Sequence, residues 1–404
     1  MPREVVTVQV GQCGNQVGRS FWGRVLREHA AASEDGCFDA PMSTYFRNVN
    51  ARTGAALDDV NAPISSLRAR AVLIDTEEGV LAQTLSGPLR ELFDEHEFIR
   101  GVSGAGNNFA HGFHGYGNEY AERIAEALRR EAERYCVFPM SNEALMDAAK
   151  AASTIESRKV QKGQRPNRLG AGAASSKGGE AFDEMNGVAA QMISNLTCCA
   201  RFPGKMNLDL SELTTNLVPF PRMQFLNSAI SPLAGDPDRS SRVAQKQQVD
   251  RMFAGAMARS NQLLKTDPVN GRFLACAMLV RGHVNLADIH RNVERLGQQI
   301  ELPSWNQDAF KIGLCAARPA DQHHSMISLA NNSCVRGVFA GMEERFRTLY
   351  GPRRKAYIHH YTNFMEEGHF DVALETLASL QHDYSDKFDE AERIAADARP
   401  PCIL

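Results

Sequence analysis

The sequence predicts an α/β fold with a doubly wound parallel sheet in its N-terminal region. Short β-branched runs at 5–10 and 69–75 alternate with glycine-containing turns and amphipathic helices, the first helix running from Val17, after the turn at 11–16, to about His29. Such alternation is typical of βαβ units, in which helical crossovers join parallel strands. An extended piece at 98–99 predicts one more strand. Residues 33–68, rich in turn formers, predict a long surface loop.

Further elements are predicted between residues 88 and 201. They are a short helix near 88–95, a helix from Asn118, its expected N-cap, to about Tyr135, a strand at 135–139 and a helix around 142–152. Residues 157–180 are basic and rich in glycine and serine, which predicts a solvated loop. From Ala181 to about Arg201 apolar side chains recur every three or four positions, which predicts a buried central helix.

A second α/β region is predicted at 205–335. Its expected strands cover 224–230, 273–280 and 310–315, and its expected helices lie near 208–217, 242–264 and 286–297. Two long surface helices are expected at 336–350 and about 364–395. The chain is therefore expected to divide into four parts, namely 1–180, the central helix 181–204, an intermediate region 205–335 and a helical C-terminal region 336–404.

The composition is that of an ordinary globular protein, with 404 residues, 43% of them hydrophobic, and a formal net charge of -3. This charge gives no field that would draw nucleic acid or an acidic membrane to the chain. We find neither a signal-peptide pattern nor an apolar run near the roughly 20 residues that span a bilayer. The nine cysteines are scattered, which favours free thiols in a reducing compartment.

The turn at 11–16 is the first indication of a ligand. A strand that ends in a glycine turn before a helix can bring backbone N–H groups up to a phosphate. The glycines at 11, 14 and 18 lack the dinucleotide spacing, so a Rossmann-type oxidoreductase is disfavoured, and a tight turn without a ligand stays open. The pairs His323–His324 and His359–His360 stand apart from any Cys or Asp cluster and do not predict a metal site.

Several segments, taken together and in order, resemble the tubulins. They are GQCGNQ at 11–16, SGAGNN at 103–108, MNLDL at 206–210 and NLVPFPR at 216–222. Within that superfamily the chain is most similar to the epsilon subfamily, by FW at 21–22, FRNV at 46–49, LRARAVLID at 67–75 and SWNQ at 304–307. The resemblance covers almost the whole chain. It implies a tubulin-like fold, with a nucleotide-binding GTPase domain at 1–180, a central helix, a second α/β domain and C-terminal helices.

For the phosphates and Mg²⁺, the resemblance implies three groups of residues. Backbone N–H groups of Gly11, Gln12 and Cys13, with Gln16 beside them, would face the phosphates at a helix N-terminus. A second cradle would come from Gly104, Ala105, Gly106 and Asn107. Asp75 and Glu77 would hold Mg²⁺ and its waters near the outer phosphates, as hard oxygen ligands do.

For the base and the reaction, the resemblance implies residues further along the chain. Asn142 and Asn186 would read guanine by hydrogen bonds, and Phe182, where most tubulins have tyrosine, would stack on it. Glu212 falls where alpha-tubulin has its catalytic glutamate, so it would act in trans on water in a neighbouring subunit's site. A core role for Phe182 and a salt-bridging surface role for Glu212 are the structural alternatives.

One tubulin signature, the glycine-rich phosphate loop GGGTGSG, is absent. The helix after 103–108 runs directly into 135–139, which resembles a strand that lies much later in tubulins. The junction at Cys136–Val137 would lack two strands, two helices and the main phosphate loop, and the sixth strand of the order 3-2-1-4-5-6 would lose its neighbour. A missing exon in the gene model is the preferred explanation. A truncated isoform and a degenerate tubulin that no longer binds nucleotide are the others.

The expected function is that of an epsilon-tubulin-like, GTP- or GDP-binding cytoskeletal protein of microtubules that acts in centriole or basal-body organisation. Its expected partners are other tubulins, with delta-tubulin a candidate, and microtubule or centriole components. No nucleic acid or membrane is expected as a partner. The expected location is the cytoskeleton of the cytoplasm, at the centrosome, centriole or basal body. Any GTPase activity would be impaired by the missing loop, and the alternative is a tubulin-fold scaffold that no longer binds or hydrolyses nucleotide.

Overall fold

The computed structural model describes residues 5–33, 36–57, 61–131, 182–204, 206–233, 242–303, 306, 309–351 and 354–397. The chain forms two compact units. The first unit contains Met1–Met140, Ala189–Pro203 and Tyr357–Glu367, and the second unit contains Ser141–Val188, Gly204–Ala356 and Gly368–Leu404. The expected strand at 135–139, the helix at 142–152, the basic loop at 157–180 and the junction at 136–137 lie outside the described residues.

The described ranges contain helices and strands along the whole of their length. The helices are α1 Gly11–Ala32, α2 Ala40–Ser43, α3 Glu78–Ser86, α4 Gly117–Glu131, α5 Asp183–Leu196, α6 Cys198–Arg201, α7 Leu210–Leu217, α8 Arg242–Met257, α9 Leu286–Gly297, α10 Arg336–Leu349, α11 Ile358–Tyr361 and α12 Gly368–Asp397. The strands are β1 Thr7–Val10, β2 Phe46–Val49, β3 Ser66–Ala69, β4 Ala71–Asp75, β5 Phe98–Arg100, β6 Leu226–Ser231, β7 Phe273–Arg281, β8 Phe310–Cys315, β9 Ser325–Asn332, β10 Tyr350–Gly351 and β11 Arg354–Lys355.

The first unit is built on a parallel sheet with the strand order β1-β4-β5. Thr7 lies opposite Ala71, and Leu73 lies opposite Phe98. Helix α1 packs on this sheet through Trp22, which is fully buried among aromatic rings. The parallel sheet predicted from the sequence is therefore confirmed, and its order matches the 3-2-1 half of the doubly wound arrangement.

Two expectations for the first unit are wrong. Residues 33–68 do not form only a loop, because they contain α2 and the antiparallel pair β2 and β3. Burial of Phe46 against Trp22, with ring centroids 5.6 Å apart, explains how tertiary packing orders this segment.

The second wrong expectation is the helix near 88–95. The helix in this region is α3, which ends at Ser86 and is followed by short 3₁₀ turns at Arg90–Leu92 and Glu95–Glu97. Pro88 explains the stop, because proline disfavours a helical conformation in the residue before it.

The start of helix α4 also differs from the expectation. A π-helical stretch, His111–Tyr116, precedes it, and α4 begins at Gly117. Asn118 lies inside the helix and donates from Nδ2 to the backbone O of His114 at 2.8 Å, so it does not cap the N-terminus. The side chain with that role is Asn108, whose Oδ1 accepts hydrogen bonds from the backbone N–H groups of Ala110 and His111.

The second unit contains a mixed four-stranded sheet with the order β6-β9-β7-β8. Every residue of β7 and of β9 is buried, which identifies these two strands as the centre of the sheet. Helices α8 and α9 contribute to the same hydrophobic core through Phe253 and Ile289. The strands expected at 224–230, 273–280 and 310–315 are confirmed within two residues at each end, and β9 is an additional strand.

The central helix and the two C-terminal helices agree with the sequence. The central helix is observed as α5 followed by the short helix α6, and the expected helices at 336–350 and 364–395 are α10 and α12. Phe339 of α10 contacts Tyr384 of α12, with ring centroids 6.1 Å apart. None of the helices in the described ranges is long and apolar enough to cross a lipid bilayer.

Candidate functional site

The carboxyl ends of the three parallel strands meet at one edge of the first unit's sheet. Strand β1 ends at Val10, β4 at Asp75 and β5 at Arg100, and each is followed by a turn rich in small or polar residues. Ligands of open α/β sheets bind outside the carboxyl ends of the strands. The structure therefore brings together three of the segments that the sequence marked as candidates, namely 11–16, 75–77 and 104–107.

The first of these turns is the N-terminus of α1. Gly11 has a φ of +69°, a left-handed conformation that glycine adopts without strain. No side chain caps this helix end, and its first turn contains no acidic residue. Gln12 and Cys13 are exposed there. The backbone N–H groups and the dipole of an α-helix N-terminus favour an anion, so this end suits a phosphate.

Side chains behind the turn fasten it to the sheet. Asn15 is buried, and its Nδ2 donates to the backbone O of Gly11 at 2.9 Å and of Ile74 at 3.2 Å. Gln9 packs against Gly18, where a Cβ would come within 2.0 Å of its Oε1. Gln16, a predicted ligand residue, is buried in α1. Asn15 was not among the predicted site residues, although the same GQCGNQ motif contains it.

Asp75 is the buried carboxylate of the site. The residue is 7% exposed, Oδ1 accepts a hydrogen bond from the backbone N–H of Glu77 at 3.1 Å, and Oδ2 has no hydrogen-bond partner among the described residues. A buried carboxylate oxygen without a partner is costly. A cation, or water bound to a cation, is the kind of group that would satisfy it.

The segment 101–108 lies next to this carboxylate. The N–H of Gly101 donates to the backbone O of Asp75 at 3.0 Å. A Cβ at Gly104 would come within 2.1 Å of Glu77 Oε1, so the absence of a side chain there allows Glu77 to lie against the loop. Gly106 and Asn107 both have left-handed φ angles, of +61° and +57°. Gly104 of the predicted second cradle is therefore in contact with Glu77, one of the two predicted Mg²⁺ residues.

The predicted guanine-binding residues are placed differently. Phe182, 54% exposed with a φ of +80°, precedes α5, and its backbone O accepts a hydrogen bond from the N–H of Asn186 at 2.8 Å. Asn186 is buried. Both residues belong to the second unit, and Asn142 lies outside the described residues. The role of these three residues stays a prediction.

Glu212 has a local structural role in α7. Its Oε2 accepts a hydrogen bond from the backbone N–H of Asp209 at 3.2 Å, and the two residues form a reciprocal capping box. Glu212 is also exposed, as a residue acting on a neighbouring subunit must be. Its catalytic role in trans stays a prediction. Across the described ranges, no group of three His, Cys, Asp or Glu side chains is arranged to hold a metal ion.

Two family models match the chain. Residues 4–142 match the GTPase domain of the Tubulin/FtsZ family, and residues 221–344 match the tubulin C-terminal domain. These matches identify the chain as a GTPase-domain protein of the tubulin and FtsZ class.

Comparison with individual relatives narrows this class. The chain is 36% identical to the tubulin epsilon chain of Mus musculus, over 94% of this chain and 95% of the relative. It is 35% identical to the tubulin epsilon chain of Homo sapiens, over 98% of both chains. It is 27% identical to the tubulin alpha-1B chain of Schizophyllum commune, over 95% of this chain and 97% of the relative. The chain therefore belongs to the tubulin family, whose members are GTP-binding cytoskeletal proteins.

These alignments also bear on the predicted deletion. The alignment to the Mus musculus relative has 457 positions, more than the 404 residues of this chain. Some positions of the alignment therefore have no counterpart here, as a deletion requires. The alignment length does not locate them, so the deletion at Cys136–Val137 stays a prediction.

Proposed function

We propose that this tubulin binds GTP or GDP at the carboxyl edge of the β1-β4-β5 sheet and acts in centriole or basal-body organisation. The observation that supports the binding site is the convergence at that edge of an uncapped helix N-terminus, the buried Asp75 and the loop at 104–107. The place of action is proposed from the similarity to epsilon chains. Other tubulins, with delta-tubulin a candidate, and centriole components are the proposed partners.

The residues at this edge suit a nucleotide with Mg²⁺. The α1 N-terminus at Gly11–Cys13 and the loop 104–107 offer small residues and backbone donors for phosphate oxygens. Asp75 Oδ2 and Glu77 offer the carboxylates for Mg²⁺ and its waters, and Mg²⁺ when bound would balance the charge of the outer phosphates. Guanine would be read by Asn142 and Asn186 and stacked on Phe182.

The predicted deletion sets the expected strength of binding. Absence of the glycine-rich loop would remove a further set of backbone donors from the phosphates, and each lost charge-assisted hydrogen bond weakens the complex. We therefore propose that binding is weaker than in a tubulin that has this loop, while still tight enough for nucleotide to copurify, and that hydrolysis is impaired. Any hydrolysis would need Glu212 of a neighbouring subunit to position or deprotonate water.

Equilibrium binding of a fluorescent GTP to the full chain with Mg²⁺ tests the site. We expect saturable binding that GDP displaces and ATP does not, and a loss of about tenfold or more in Asp75→Asn, because the carboxylate charge on the Mg²⁺ side is removed. Gly79→Ala, in the first turn of α3 four residues after Asp75, is the control, since a Cβ there meets nothing within 4 Å. Equal affinity of Asp75→Asn and the wild type would contradict the assignment.

A scaffold that binds partners without nucleotide is the second candidate. The absent glycine loop favours it. The same titration separates the two functions, because a scaffold would show no saturable GTP binding. For hydrolysis, Glu212→Gln keeps a capping side chain and removes the carboxylate, so a GTPase rate unchanged in this variant would exclude Glu212 as the acid.

A further inference from the structure

The segment 357–367 belongs to the first unit, and it contacts the end of the loop 103–108. Asn108 donates from Nδ2 to the backbone O of His360 at 2.7 Å. Three residues further on, the ring of His111 stacks on the ring of Phe364, with centroids 4.3 Å apart and planes inclined by 15°. A hydrogen bond and a ring stack therefore join the same two stretches of chain.

Asn108 uses both ends of its amide. Oδ1 accepts from the backbone N–H groups of Ala110 at 3.0 Å and His111 at 3.3 Å, which caps the helical stretch that follows the loop. Nδ2 makes the separate bond to the segment 357–367. The asparagine amide supplies an acceptor for the cap and, on a separate atom, a donor for a second partner.

The first residue of the loop, Ser103, is also connected to the ring of His111, through Tyr116. Ser103 Oγ and Tyr116 Oη lie 2.8 Å apart, at hydrogen-bond distance. The ring of Tyr116 stacks on His111, with centroids 4.7 Å apart. His111 thus contacts both Tyr116 and Phe364, and Gly115 leaves room for it, because a Cβ there would lie 2.9 Å from His111 Cδ2.

We propose that the segment 357–367 positions the loop 103–108 for phosphate binding, with Asn108 and Phe364 as positioning residues. The inference rests on the proposed nucleotide site. The left-handed φ of Asn107 costs energy in a residue that has a Cβ, and such a conformation persists only where surrounding structure enforces it. The contacts at both ends of the loop supply that constraint. By linkage, a nucleotide that orders the loop also stabilises the segment 357–367.

Two variants of the full chain test this proposal without touching the loop's backbone donors. Phe364→Leu removes the stack on His111 from the distant segment. Asn108→Ser keeps an oxygen for the cap but is too short to donate to His360. The control is Phe113→Leu, on the same helical stretch, whose ring stacks on Phe109 at 5.4 Å and does not join the segment.

Hydrogen exchange followed by mass spectrometry measures the amide exchange rates of the loop, and titration with fluorescent GTP measures the affinity of the site. We expect Phe364→Leu and Asn108→Ser to speed exchange of residues 103–110 severalfold and to weaken GTP binding about fivefold or more. Phe113→Leu should match the wild type in both, and GTP should slow exchange of residues 357–367 in the wild type.

Wild-type exchange rates in Phe364→Leu would overturn the proposal, and so would equal changes in Phe113→Leu. A wild type that binds no GTP contradicts the proposed function. The exchange rates measured without nucleotide then still decide whether the segment positions the loop.

Discussion

The sheets of the two units differ in the length of their strands and in the groups buried at the strand ends. In the second unit, the central strands β7 and β9 run for nine and eight residues, and every residue in them is buried. In the first unit, the parallel strands have only three to five residues, and polar atoms such as Asp75 Oδ2 are buried at their carboxyl ends without a partner in the described ranges. Long buried strands, with the polar residues of β9 among them, stabilise the second unit, whereas the first unit has a buried carboxylate oxygen at the end of a short strand, where a ligand would satisfy it.

The largest loss of stability is expected when a buried ion pair in the first unit is broken. Arg201 Nη2 lies 2.8 Å from Glu28 Oε2, both side chains are fully buried, and the Ser194 hydroxyl lies 2.8 and 2.9 Å from the carboxylate oxygens. Arg201→Met would strand the Glu28 charge. We expect it to lower the free energy of unfolding by about 3–5 kcal/mol.

Urea unfolding followed by the fluorescence of Trp22, in a Trp305→Phe background, measures this loss because Trp22 lies in the core of the first unit. The double variant Glu28→Met with Arg201→Met should recover much of the stability, since no charge is left buried alone. A single variant as stable as the wild type would show that the ion pair does not stabilise this unit.

A cavity made in β7 tests how much the buried core stabilises the second unit. Met278 is completely buried in the second unit's core. We expect Met278→Ala to cost about 2–5 kcal/mol through lost burial and an unfilled cavity. Thermal unfolding of the full chain measures it, with the exposed Val372→Ala of α12 as control. An unfolding temperature lowered as much in Val372→Ala as in Met278→Ala would contradict the claim that the buried strand β7 stabilises the second unit.

A smaller effect is expected where β4 and β5 approach each other beyond their ends. A Cβ at Gly101 would lie 2.8 Å from the Cα and 2.9 Å from the O of Thr76, both backbone atoms. Gly101→Ala should therefore cost about 1–3 kcal/mol by overpacking and should displace Asp75, which Gly101 contacts. Gly79→Ala, with free space for its Cβ, should be neutral or slightly stabilising. Equal unfolding midpoints for Gly101→Ala and Gly79→Ala would contradict the tight packing at Gly101.

The smallest effect is a pH dependence in the second unit. Burial raises the pKa of Asp250, but hydrogen bonds from Asn292 and Arg291 outweigh it, and the pKa lies below its usual value of 3.8. A lowered pKa in the folded state adds stability above pH 3.8, and this stability is lost as the pH falls through the folded value. Acid unfolding of Asp250→Asn should show a shallower loss than the wild type. Identical acid unfolding curves would contradict this assignment.

The sequence predicted regular elements best where the pattern is local. The β-branched run before Gly11 forms strand β1, and the segment with apolar periodicity forms the central helix α5, as predicted. Strand β9 escaped prediction because four of its buried residues are polar, and their partners come from distant parts of the chain. Asn331 Nδ2, for example, donates to the backbone O of Leu217 at 2.8 Å and of Met223 at 2.7 Å.

Some parts of the candidate site were likewise predicted from the sequence, and others were not. Gly11, Asp75 and Gly104 were predicted by resemblance to tubulins, and the structure places their segments at one sheet edge. The contact between Asn108 and His360 joins residues 252 positions apart, so no local pattern could indicate it. The three guanine residues and Glu212 stay predictions, because their proposed partners are a ligand and a neighbouring subunit.

The most direct test of the central claim is the nucleotide content of the purified full chain. The protein is denatured, and the released nucleotide is identified by ion-exchange chromatography, with the Asp75→Asn variant treated in parallel. We expect the wild type to release GDP or GTP and the variant to release much less. A wild type that releases no guanine nucleotide, and that binds none when GTP and Mg²⁺ are added, would contradict the nucleotide site at this sheet edge.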